Sequence, residues 1–122
     1  MRSTWQRVLL ILLAIFLAAP PASAHAFLER ASPAVGSTIH AAPAEITLRF
    51  TEPIEPAFST VQVTGPGGER VEAGVPRVDA SAPAVLRVPL KALGPGSYKV
   101  VWRVVSVDSH VTDGDFKFTV AP

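Results

Sequence analysis

From Glu45 to Thr51 (EITLRFT), apolar Ile46, Leu48 and Phe50 alternate with polar Thr47 and Arg49. That is the two-residue period of a strand with one face in a core and the other in water. The period returns at Thr60 to Thr64, with Val61 and Val63 inward, and Gly65-Pro66-Gly67-Gly68 then turns the chain into a further strand expected over Arg70 to Val75. Val85 to Val88 reads as another short strand. Ser97 to Val107 (SYKVVWRVVSV) is the longest, and its second half is apolar on both faces, which suits a central strand. Asp115 to Val120 closes the sequence with Phe116, Phe118 and Val120 inward. No helical period of useful length follows residue 25. Short strands separated by Pro and Gly predict an all-β fold, an immunoglobulin-like Greek-key sandwich or barrel of about seven strands.

The amino-terminal 24 residues follow a different pattern. Arg2 and Arg7 are basic, Val8 to Ala19 is a 12-residue apolar run, Pro20 and Pro21 break any helix, and Ala22-Ser23-Ala24 supplies small residues for cleavage. These are the three parts of a secretory signal peptide in order. The run is short of the ~20 apolar residues of a membrane span, which disfavours an uncleaved anchor. The expected organisation is a signal peptide at 1–24 and one domain at 25–122, so the working protein is periplasmic or extracellular.

Composition narrows the chemistry. Without Arg2 and Arg7, nine basic residues face ten acidic ones, so there is no basic footprint for nucleic acid. The chain has no cysteine, and its one methionine is Met1, which leaves with the leader. The core alone must hold the fold, and soft sulfur ligands are absent from the domain.

Three histidines remain: His25, His40 and His110. Cleavage after Ala24 makes His25 the first residue, and its new α-amine and imidazole Nδ1 can then chelate one metal ion. Asp108 and His110, two apart in an extended segment, point to the same side. Together these groups supply three nitrogens and one oxygen, a tetragonal set that suits Cu(II) best and Ni(II) second. Taken alone, an Asp-x-His pair is a weak signal, better explained by a solvated turn. His40 reads as a loop residue and Trp102 as core packing. Asp113 and Asp115 either add negative charge near the metal or shape a turn at Gly114.

Several segments carry a family likeness: His25-Ala26-Phe27-Leu28, Ala31-Ser32-Pro33-Ala34-Val35-Gly36-Ser37, Leu48-Arg49-Phe50-Thr51-Glu52, Gly96 to Trp102, Ser106 to His110 and Gly114 to Val120. In this order, over essentially all of 25–122, they closely resemble the CopC copper-resistance family. The resemblance implies a β-sandwich that carries copper outside the cytoplasm, with Cu(II) held by the amine and imidazole of His25, the carboxylate of Asp108 and the imidazole of His110. It makes Glu52 the acidic residue beside the site, orienting a ligand through a hydrogen bond, against the plain reading of a solvated strand-end carboxylate. It also implies a CopD-like inner-membrane copper transport partner. The methionine-rich Cu(I) loop of some members is missing, and Phe27 stands where some place another histidine, so the likeness is to the Cu(II)-only branch.

The expected function is therefore a monomeric exported carrier that buffers or delivers copper. No catalytic constellation, small-molecule substrate or enzymatic turnover is expected. Two alternatives stand beside it. One is a copper oxygenase with a histidine brace, which the charged oxygen of Asp108 disfavours; the other is a metal-free sandwich that serves as an interaction module.

Overall fold

The computed structural model describes residues 25–122; the leader expected over 1–24 lies outside the described residues. Two four-stranded sheets pack face to face. One runs β1-β3-β6-β5, from β1 (Leu28–Ser32), β3 (Glu45–Phe50), β6 (Ala82–Pro89) and β5 (Arg77–Asp79). The other runs β2-β8-β7-β4, from β2 (Thr38–Ile39), β8 (Val111–Val120), β7 (Gly96–Val105) and β4 (Thr60–Thr64). All neighbours are antiparallel except β2 and β8. A three-residue 3-10 turn, Pro56–Phe58, is the only helix among the described residues. This is the expected immunoglobulin-like β-sandwich, with eight strands in place of about seven.

The alternating positions meet between the sheets. Ile46, Leu48 and Phe50 of β3 and Leu86 and Val88 of β6 face Val63, Val100, Trp102, Val104, Phe116 and Phe118. Phe50 meets Trp102 edge to face at 5.2 Å between ring centroids, a geometry that the quadrupoles of the two rings favour. Tyr98 stacks on Phe118, and its hydroxyl donates to the carbonyl of Gly94 four residues back at 2.6 Å. Such a bond at a strand corner is a hallmark of immunoglobulin-like sandwiches.

Four readings of the sequence change. Arg70 to Val75 forms no strand: only isolated bridges join Thr64 to Arg70 and Glu72 to Leu90, because Glu72 turns its carboxylate onto the backbone N–H of Val63 at 2.9 Å and takes a ladder position with a side chain. β7 is central as expected but apolar on one face only, Val101 being 40 % exposed, since the outer side of an antiparallel sheet can face water. β8 starts at Val111 and runs straight through Gly114, where no turn forms. Gly114 pairs with Trp102, whose indole occupies the space of a Cβ. β1, β2 and β5 are additional strands.

Candidate metal centre

Three segments converge at one end of the sandwich: residues 25–27 ahead of β1, Thr51 at the end of β3, and the turn from Ser106 to His110 that joins β7 to β8. Ala26 anchors the first, being fully buried, and its carbonyl accepts a 2.7 Å hydrogen bond from the Thr112 hydroxyl. Thr51 holds the same segment from the other sheet. Its hydroxyl accepts the Phe27 N–H at 3.0 Å and donates to the His25 carbonyl at 3.4 Å, and its own N–H donates to the Phe27 carbonyl at 2.9 Å. His25, exposed beyond this clamp, is thus aimed from a fixed backbone.

Residues 106–110 form a turn, not the extended segment expected to carry Asp108 and His110, and it is built around Ser106, which is 1 % exposed. Backbone bonds run from Ser106 N–H to the His110 carbonyl at 2.9 Å and from Ser109 N–H to the Ser106 carbonyl at 2.9 Å. The Ser106 hydroxyl donates to Asp108 Oδ1 and accepts the His110 N–H at 3.3 Å. Ser109 takes the left-handed conformation that closes the turn, φ 71°. Val107 N–H reaches the Pro53 carbonyl at 3.1 Å, which fastens the turn to the strand end beside Glu52.

His25 and His110 come together across this end, their ring centroids 5.0 Å apart and their planes at 62°. Asp108 Oδ1 lies 3.3 Å from His110 Nδ1, so Nε2 of His110 is the nitrogen turned away from the carboxylate. The hydrogen bond from Ser106, reinforced by His110, holds the Asp108 carboxyl below the usual aspartate range, and the group is anionic at neutral pH. Among the described residues, no three His, Asp or Glu side chains already close around one point. What the chain provides is a pair of imidazoles and a carboxylate on anchored backbone, able with a free amine at His25 to offer three nitrogens and one oxygen.

Glu52 is half-buried next to Thr51, and no hydrogen bond or ion pair of its carboxylate occurs among the described residues. His40 is exposed in the loop after β2. Asp113 and Asp115 point outward from β8, opposite Arg103 and Val101. Thr51, Thr112 and Ser106 are positioning residues that the sequence did not single out. The serine two residues before Asp108 was the one available signal.

The family model described as the CopC domain matches residues 28–121. Protein YobA of Escherichia coli K12 is 40 % identical over 115 residues, 93 % of each chain. Copper resistance protein C of Xanthomonas campestris pv. juglandis is 34 % identical over 116 residues, 90 % of this chain and 91 % of the other. The crystal structure of CopC from Methylosinus trichosporium OB3b superposes with a TM-score of 0.75 at 36 % identity, covering 80 % of this chain and 95 % of that one.

Proposed function

This chain belongs to the CopC family, and on that basis we propose that it is an exported Cu(II)-binding protein that buffers copper or delivers it to a membrane partner. It is a copper-resistance-family binding protein, not an enzyme. The observation that carries the reading is the approach of His25 to His110 on backbone held by Thr51 and Thr112.

The copper ion is cargo. Removal of residues 1–24 frees the α-amine of His25, which closes a chelate ring with its own imidazole Nδ1; His110 adds an imidazole nitrogen and Asp108 a carboxylate oxygen. The anionic oxygen and nitrogen donors favour Cu(II), and with no Met or Cys after residue 24 nothing selects Cu(I). Glu52 orients the amine or a bound water from the adjacent strand end. The protein works as a monomer in the periplasm or outside the cell, with a CopD-like transporter as the acceptor.

Calorimetric Cu(II) titration of the protein beginning at His25 tests this, together with its His25→Ala, Asp108→Ala and His110→Ala variants. Each variant is expected to bind at least about 100-fold more weakly, beyond the 10–100-fold typical of lost outer partners. Unchanged affinity in all three would overturn these ligands, and a parent that binds no copper would leave the metal-free interaction module.

A further inference from the structure

The outer face of the β1-β3-β6-β5 sheet carries four arginines, and the fold neutralises two of them. Arg77 and Arg87 stand opposite each other across β5 and β6, with Glu45 2.9 Å from Arg87 and 4.0 Å from Arg77, and Asp79 3.3 Å from Arg87. Arg30 and Arg49 stand opposite each other across β1 and β3 in the same way. Among the described residues, neither has a carboxylate within ion-pairing distance. Like charges directly opposite on adjacent strands destabilise a sheet, so this pair asks for an anion from outside.

A concavity of about 220 Å³ lies at the pair, its wall including Arg30, Ser32, Thr47, Arg49, Val85 and Arg87. Val85 pairs with Arg49 and shares its outward side, yet is only 8 % exposed, so it gives the hollow an apolar floor. Guanidiniums around an apolar floor suit a carboxylate carried on methylenes, as in a glutamate side chain: the forks take the oxygens bidentately and the floor takes the stem. The volume admits one or two such side chains. The domain as a whole has nine basic against ten acidic residues, so it lacks the broad positive surface that adheres to anionic lipid.

The patch adjoins the metal end of the sandwich. Arg30 lies five residues after His25, and Arg49 two before Thr51, which bonds the His25 carbonyl. We propose that Arg30 and Arg49, with Ser32, Thr47 and Arg87, form a docking surface for an acidic peptide segment of the extracytoplasmic protein that exchanges copper with this chain. The anion recognition stands on the arginines alone; the identity of the partner as a copper acceptor rests on the carrier reading above.

Amide NMR of the ¹⁵N-labelled protein beginning at His25, titrated with hexaglutamate, tests the surface. Salt-sensitive shifts are expected at Arg30, Ser32, Thr47, Arg49 and Arg87. They should weaken at least about tenfold in the Arg30→Gln/Arg49→Gln double variant, which alters exposed positions only, because charge-assisted bonds carry the contact. They should persist in Lys99→Gln/Lys117→Gln, which removes a like-charged cross-strand pair on the other sheet. Shifts centred on Lys99 and Lys117, shifts unchanged in the arginine double variant, or tighter binding to phosphatidylglycerol vesicles than to the peptide would each overturn it. Cu(II) titration of the same arginine variant should match the parent. A parent that binds peptide but no copper would refute the carrier reading and leave the acidic-peptide surface intact.

Discussion

The imidazole of His25 stands 5.0 Å from that of His110, although 85 positions separate them in the chain. β8 starts immediately after His110, and its second residue, Thr112, holds the carbonyl of Ala26, so the strand that follows one histidine also fixes the backbone that carries the other. Two rings on one brace need little rearrangement to share an ion.

Thr112→Val should loosen that brace while keeping the shape of the side chain. A neutral intramolecular hydrogen bond contributes about 1 kcal/mol, so Cu(II) affinity should fall by roughly fivefold, with a small drop in thermal midpoint. Competition titration against a chromophoric chelator measures the affinity. A variant indistinguishable from the parent would remove the Ala26 anchor from the account.

Gly114→Ala should destabilise the sandwich by about 1–3 kcal/mol, the usual cost of overpacking a core. The new Cβ enters the space of the Trp102 indole, which is 7 % exposed and packed on Phe50, so relief requires a core ring to move. Chemical denaturation followed by fluorescence of Trp102, the one tryptophan after residue 24, reads the change. An unchanged midpoint would mean that the indole shifts freely.

The core strands were legible because their residues obey one rule at a time: Ile46, Leu48 and Phe50 alternate cleanly with polar neighbours. β1 breaks the rule, since a register irregularity between Leu28 and Arg30 leaves Leu28 and Ala31 inward at a spacing of three. β2 is two residues long and pairs with β8 through topology that no local pattern encodes. At the candidate site, His25 and His110 stood out because histidine is rare in this chain, and Asp108 because it lies two residues before one of them. Thr51 and Thr112 did not, because a threonine near a strand end reads as ordinary β sequence until the fold sets its hydroxyl against a backbone atom.

Acid stability should depend on Glu72. Burial pushes its carboxyl upward, but the bonds from Arg70 and the Val63 N–H outweigh this and hold it below the ordinary glutamate range. Between the folded value and the ordinary one the unfolded chain binds more protons, so this contribution is complete above the ordinary value and is lost as pH falls through the folded one. Glu72→Gln should flatten the acid limb of a stability–pH curve recorded by denaturant midpoints. An equally steep limb in the variant would assign acid sensitivity to other carboxylates.

Copper release should accompany acidification of the mature protein, because an amine and imidazoles coordinate only when deprotonated and metal binding displaces their protons. Cu(II) titrations from neutral pH down to about pH 4 measure it, across the range in which such ligands protonate. An affinity flat over that interval would contradict nitrogen coordination.

The most direct test compares two proteins that differ by a single residue, one beginning at His25 and one retaining Ala24. Only the first has the α-amine on His25, while the imidazoles and Asp108 are common to both. Cu(II) titration should show the extended form at least about 100-fold weaker, with fewer nitrogen couplings in its electron paramagnetic resonance spectrum, since losing a ligand exceeds the loss of an outer partner. Equal affinity and identical spectra would contradict the claim that removal of the leader creates the copper site.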